Sequence, residues 1–300
     1  MLSRRLLSAA VIISVLLGMI YVDFRIGTVQ GLSRPGVVLS AISVLLAMMS
    51  AYELVQLFQN QLQSTRWLEI VGISGVSVAI CCAPVAWENY PPDCAIGMFG
   101  WSMMAMTFAV GMTLLIEIIR FQDNGQSSSK VAGAVLIHAQ LILLFGFLIG
   151  HRLLFHENST GLIALIALLT AVKTSDAAAY FAGKSLGKNK LAPSLSPGKT
   201  VEGLCGSFFG AFLGLAIVVY LVAPFIFEQK LNISVGWAVT YAIAVTIAGV
   251  VGDLAESMFK RDAKIKDSSS WLPGLGGILD ITDSLVFAAP VSYFLWVLTR

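Results

Sequence analysis

The sequence predicts an all-α, polytopic integral membrane protein of about nine transmembrane helices with a cytoplasmic N-terminus. Three observations carry this. The 300 residues are 57% hydrophobic and only 12% charged, with a mean hydropathy of +0.84, whereas a soluble domain carries roughly twice that share of charge. Apolar runs of about 17–25 residues recur along the chain, each long enough to cross a hydrocarbon core of about 30 Å. The basic residues fall unevenly on the segments between those runs.

The expected spans are roughly 6–22, 37–58, 68–86, 95–119, 131–150, 160–181, 202–227, 235–259 and 273–298. The first follows Ser3-Arg4-Arg5, a start that resembles a twin-arginine export signal. The run after it is long and lacks a small-x-small cleavage site, so it reads as a helix anchored by cytoplasmic arginines. With the N-terminus inside, the inner loops carry Arg4, Arg5, Arg66, Arg120, Lys130, Lys184, Lys188, Lys190, Lys199, Lys260, Arg261, Lys264 and Lys266, which is 13 of the 19 basic residues. The outer segments carry five: Arg25, Arg34, Arg152, Lys230 and Arg300. That asymmetry follows the positive-inside rule.

The halves 1–150 and 151–300 differ in character within one membrane domain. The first is plain apolar helix; Glu53 and Glu117 are its exceptions, each near a helix end. In the second, residues 170–285 hold nearly all the polar residues at membrane depth. Residues 122–130 read as a flexible cytoplasmic loop. Gly203, Gly206, Gly210 and Gly214 share one face of the seventh span, a smooth groove for a packed neighbour. Cys81, Cys82, Cys94 and Cys205 and the histidines His138, His151 and His156 show no metal-ligand spacing, so zinc is not expected. No nucleic-acid partner is expected either.

Three constellations can carry chemistry. In the eighth span Asp253, Glu256, Ser257 and Lys260 lie at i, i+3, i+4 and i+7, one stripe of a helix that turns basic toward Lys260, Arg261, Lys264 and Lys266. A charge at the centre of a membrane helix costs about 2.5–3.5 kcal/mol on the insertion scale, so such acids face protein, water or a cation. Carboxylates can hold Mg²⁺ while the basic groups hold phosphate oxygens. Next, Pro273-Gly274-Leu275-Gly276-Gly277 is a turn of low bulk that can bring backbone N–H groups to an anion, followed by Asp280, Asp283 and Ser284. Finally, residues 173–203 contain Lys173, Asp176, Tyr180 and two fragments that mimic a P-loop end, Gly183-Lys184-Ser185 and Gly198-Lys199-Thr200. Neither has the leading glycine, and neither is expected to follow a β-strand, which argues against a P-loop ATPase and leaves a cytoplasmic loop whose lysines and backbone amides face a nucleotide triphosphate.

In these residues the chain resembles the CDP-diacylglycerol synthase (phosphatidate cytidylyltransferase) family. Its S-x-x-K-R-x4-K-D element is met by Ser257, Lys260, Arg261, Lys266 and Asp267. Its glycine turn is met by Pro273, Gly274, Gly276 and Gly277, and its D-R-x-D-S run by Asp280, Asp283 and Ser284. Ser196, Pro197, Lys199, Thr200, Glu202 and Gly203 meet S-P-x-K-T-x-E-G; Asp176, Ala179, Tyr180, Gly183 and Lys184 meet D-x-x-A-Y-x-x-G-K. The specific match covers roughly 173–284. Leu275 stands where the family has histidine, Ile281 where it has arginine, and Ala178 where it usually has glycine.

The resemblance implies a Mg²⁺-dependent reaction of CTP with phosphatidic acid at the inner face of the cell membrane, in phospholipid biosynthesis. It implies Asp253 and Asp280 as metal ligands with Glu256 and Asp283 close by. Lys260, Arg261 and Lys266 would hold phosphate; Ser257, Ser196, Lys199, Asp267 and Asp176 would complete the substrate contacts. It also implies a homodimer. The same residues leave open a CTP-dependent kinase of lipid alcohols, an ion-coupled transporter and an inactive paralogue. Intramembrane carboxylates suit a cation pathway too, although no inverted repeat is evident.

Overall fold

The computed structural model describes residues 2–28, 35–58, 67–87, 97–121, 125–154, 158–272, 274 and 276–299. Arg34, Arg66, Cys94, His156, Pro273, Leu275 and Arg300 lie outside these residues, as do the side chains of Arg4 and Arg5. The principal helices are α1 (Leu2–Thr28), α2 (Val37–Leu57), α3 (Trp67–Cys81), α4 (Gly97–Ile119) and α5 (Ser127–Arg152). There follow α6 (Asn158–Leu186), α7 (Val201–Ile226), α8 (Val235–Asp262), α9 (Ile278–Thr282) and α10 (Leu285–Val297). Single π-turns interrupt α5 at Ile142–Gly146 and α7 at Val218–Val222.

Among the described residues seven helices are long and apolar enough to cross a membrane: α2, α4, α5, α6, α7, α8 and the continuous Ile278–Val297 stretch. The chain is thus a polytopic integral membrane protein. The third expected span falls on α3, whose 15 residues extend only about 22 Å at 1.5 Å per residue, and the first falls on α1. The structure adds what an all-α reading omits, an antiparallel hairpin of β1 (Lys190–Ala192) and β2 (Ser196–Thr200), with Lys190 opposite Thr200 and Ala192 opposite Ser196.

The chain forms two compact units, Met1–Leu153 with Ala263–Thr282, and Leu154–Asp262 with Asp283–Arg300. In the first, α2, α3, α4 and α5 pack through small and aliphatic residues such as Ala47, Ala51, Val78, Ala109 and Ile137. One end is held by an ion pair. Arg152 Nε donates to Asp23 Oδ2 at 2.7 Å, with side chains 0% and 1% exposed. Asp23 also accepts from the backbone N–H groups of Gly36, Val38 and Leu39, so it closes the start of α2. Gly36 has φ +95°, and a Cβ there would press on Val85 and Arg152. Arg152 is therefore a core residue rather than the solvated loop cation its place in the sequence suggests.

In the second unit α6 and α7 lie against each other along the expected glycine groove. A Cβ on Gly206 would lie 2.5 Å from the Ala182 methyl, and one on Gly210 would lie 2.5 Å from the Thr174 carbonyl and 2.6 Å from the Ala178 methyl. The closeness is used: Thr174 Oγ1 donates to the Gly210 carbonyl at 2.8 Å. It also accommodates Ala178, whose methyl faces a glycine. Helix α8 packs on α10 through Tyr241, whose hydroxyl shares a 2.8 Å hydrogen bond with Ser292, and through Gly249 and Gly252, which leave room for the backbone of Asp283 and Ser284.

Candidate active site

The second unit gathers charge around Asp253. Lys199 Nζ lies 2.6 Å from Asp253 Oδ2, with side chains 22% and 31% exposed. Local structure explains how Lys199 is delivered. Thr200 takes an extended conformation and its Oγ1 accepts from the Gly203 N–H at 3.0 Å, the N-cap of α7. Glu202 accepts from the backbone and side-chain amides of Asn189, which pins the strand entering the hairpin to the helix leaving it. Four residues of the S-P-x-K-T-x-E-G element thus play distinct parts. The threonine caps, the glutamate ties the loop, the glycine admits α6, and the lysine projects to α8. The Gly198-Lys199-Thr200 fragment lies within β2 and leads the lysine to a carboxylate.

Asp176 lies one turn from Lys173 on α6, at 3.8 Å, and the charges of Lys173, Asp253 and Lys199 act on it. Asp283 is acted on by Asp253, Lys173 and Asp176. Gly252 is what lets it approach, because a Cβ there would run into the Asp283 carbonyl. Its Oδ1 accepts from Ser284 N at 2.6 Å and Ser284 Oγ at 3.2 Å. The cluster therefore holds three carboxylates, Asp176, Asp253 and Asp283, against two ammonium groups, Lys173 and Lys199. Ser257 Oγ donates to Asp253 Oδ1 at 3.5 Å.

Further along α8 the stripe changes character. Glu256 and Lys260 pair at 3.1 Å with side chains only 7% and 11% exposed. Arg261 Nε donates to the Leu195 carbonyl at 3.3 Å, gripping the hairpin turn. Ser196 opens β2 opposite Ala192. Lys266 and Asp267 are exposed on the segment that follows α8.

Asp280 belongs to the first unit. Its Oδ2 accepts from Ser268 N, Ser268 Oγ and Gly277 N, each at 2.8 Å. Glu53 of α2, which the sequence presents as an ordinary helix-end acid, is 1% exposed. It accepts from Ser268 Oγ, Ser269 Oγ, Ile278 N and Leu279 N at 2.8–3.0 Å. In the glycine turn, expected to offer amides to an anion, Gly277 N–H donates to Asp280 and Gly276 N–H to the Leu272 carbonyl, while Ile278 and Leu279 just beyond it donate to Glu53. Glu53 and Ser268 lie 215 residues apart, and no local pattern could have joined them.

Oxygen donors in this proportion suit a hard divalent cation. Among the described residues no group of three or more metal-ligating side chains is assembled, but Mg²⁺ usually takes one or two carboxylates and fills its other positions with water and substrate phosphate. Asp253 and Asp283 fit that demand.

A model of the cytidylyltransferase family matches residues 3–299. The chain is 40% identical over 140 residues to a phosphatidate cytidylyltransferase of Haemophilus influenzae, covering 46% of this chain and 48% of that protein. It is 41% identical over 138 residues to one from Bacillus subtilis, covering 46% and 49%. These two matches span about half the length of the relatives concerned. A third, from Staphylococcus saprophyticus, is 31% identical over 261 residues, covering 87% of this chain and 90% of that protein. A family model that fits from residue 3 to residue 299 makes this chain a member of the cytidylyltransferase family.

Proposed function

We propose that the protein is a Mg²⁺-dependent phosphatidate cytidylyltransferase of the cell's inner membrane, converting CTP and phosphatidic acid to CDP-diacylglycerol and pyrophosphate. The observation that carries this reading is the cluster of Asp176, Asp253 and Asp283 with Lys173 and Lys199, in a chain whose relatives bear that name. An oxygen of the lipid phosphate attacks the α-phosphorus of CTP. A new P–O bond forms, the bridge between the α- and β-phosphates breaks, and pyrophosphate leaves with the bonding electrons. The lipid phosphate is already anionic at neutral pH, so no residue has to take a proton from it. Leu275 in place of histidine is compatible with that chemistry.

Reactions of this type depend on positioning and charge neutralisation. Lys199 and Lys173 offer ammonium groups to phosphate oxygens, and Asp253 holds Lys199 in place. Lys260 and Arg261 would carry the basic stripe of α8 toward the cytoplasm, and Lys266, on the segment after it, would offer a further cation. Asp253 and Asp283 would hold Mg²⁺, and the family signature gives Asp280 a part in the reaction as well. When bound, the ion would polarise the α-phosphate and screen the repulsion between two anionic substrates. The site opens to the cytoplasm for CTP and to the inner leaflet for the lipid.

The test is purified protein in mixed micelles of phosphatidic acid, given CTP labelled at the α- or the γ-phosphate. Label from the α-phosphate in the lipid product, stopped by EDTA and restored by Mg²⁺, is the expected result. Label from the γ-phosphate would assign a lipid kinase instead.

A further inference from the structure

We infer that Glu53, on the second helix, is a positioning residue for Asp280, acting through Ser268 and the glycine turn before α9. The inference rests on the cytidylyltransfer reading, within which Asp280 has a part. Glu53 is buried, and its two oxygens accept four hydrogen bonds: Ser269 Oγ at 2.8 Å and Ile278 N at 3.0 Å on Oε1, Ser268 Oγ and Leu279 N at 3.0 Å on Oε2. A carboxylate has about four lone-pair positions, and here the donors come from both ends of the 268–279 segment. The same Ser268 hydroxyl lies 2.8 Å from Asp280 Oδ2. One hydroxyl proton therefore serves two carboxylates, while the Ser268 and Gly277 amides fix Asp280 from the backbone side.

The turn is shaped to receive these acids. Gly276 has φ +88°, and a Cβ there would run into the Asp280 carboxylate; one on Gly277 would run into Ser268 Oγ and both oxygens of Glu53. The paired glycines of the signature are thus required by the two carboxylates packed against them. Leu272 and Gly276 exchange both backbone hydrogen bonds, at 2.9 and 3.1 Å, closing the loop between. Tyr52, beside Glu53, stacks on Trp271 with ring centroids 5.7 Å apart and planes 8° apart. Two successive residues of α2 therefore hold the segment that carries Asp280. A misplacement of about 1 Å in such a group costs on the order of 10²-fold in rate.

The experiment compares wild type, Glu53→Gln and Ser268→Ala in detergent. Glu53→Gln keeps the volume but turns an amide donor toward backbone donors. Ser268→Ala removes the hydroxyl that links the two acids and leaves its N–H on Asp280. Expected are a kcat lowered about 100-fold in Glu53→Gln and about 10-fold in Ser268→Ala, with KM for CTP within about 3-fold of wild type. Amide exchange at Ile278 and Leu279 should quicken at least about 10-fold in Glu53→Gln, at unchanged exchange elsewhere in α2. If Glu53→Gln does not fold, Ser268→Ala decides the matter. Unchanged kcat per folded molecule in the variants, beside an active wild type, overturns the role of Glu53 alone. A wild type without turnover overturns the reaction assignment with it.

Discussion

Lys199 and Asp253 meet at 2.6 Å, and each alters the charge that the other presents. Removing the lysine leaves three carboxylates facing one ammonium group, which favours a bound cation but withdraws a phosphate contact. Removing the carboxylate withdraws an oxygen donor and frees the lysine. The two substitutions should therefore separate. Lys199→Met is expected to raise KM for CTP and to lower kcat/KM about 10²-fold, the scale of a lost charge-assisted contact in a polar site, with the Mg²⁺ requirement little changed. Asp253→Asn is expected to lower kcat by a similar factor and to raise the Mg²⁺ concentration for half-maximal rate about 10-fold or more. Initial rates over a grid of CTP and Mg²⁺ concentrations distinguish them. Asp176, Asp253 and Asp283 were legible in the sequence because acids are conspicuous at membrane depth, and Lys199 because it sits in a Gly-Lys-Thr fragment of a loop. Glu53 and Ser268 were not. An acid near the end of an apolar helix has an ordinary electrostatic explanation, and a serine in a loop has none to give until its partner is known.

At the scale of elements, the membrane helices were legible from apolar length, while the hairpin between α6 and α7 was not. Its strands have three and five residues, too few to show a period. What stabilises them is the contact of Asn189 with Glu202, 13 positions on, and the Thr200 cap. Thr200→Val removes the cap at nearly constant volume and should cost about 1 kcal/mol, seen as a lower midpoint in thermal unfolding in detergent. It should also lower kcat, because Lys199 is the next residue. The glycine groove gives a sharper test. A side chain at Gly210 meets the Thr174 carbonyl and the Ala178 methyl at 2.5 and 2.6 Å, so α6 and α7 would have to part. Gly210→Val should destabilise by about 1–3 kcal/mol, the usual cost of overpacking. Gly236→Val, where no atom stands within 4 Å of the added Cβ, should shift the midpoint far less. On α8, Glu256→Gln removes the charge that faces the buried Lys260 ammonium, a loss of about 3–5 kcal/mol for a buried pair.

For the molecule as a whole, the decisive quantity is the distribution of basic residues across the membrane. The sequence assigns 13 of them to inner segments and five to outer ones. Arg152 must be withdrawn from the outer set, because it is paired with Asp23 inside the first unit, and the asymmetry grows. Two exposed lysines stand on segments of opposite expected side: Lys190 at the start of the hairpin and Lys230 between α7 and α8. With α7 as a single crossing between them, they must lie on opposite faces. In a background lacking the native cysteines, Lys190→Cys is expected to react with an impermeant maleimide in inside-out vesicles and to be protected in intact cells. Lys230→Cys should show the reverse. Labelling of both from one side would remove α7 as a transmembrane helix. A clean reversal, with Lys230→Cys reactive from within, would turn the hairpin and Lys199 away from the cytoplasmic pool of CTP, and the proposed reaction could not be supplied.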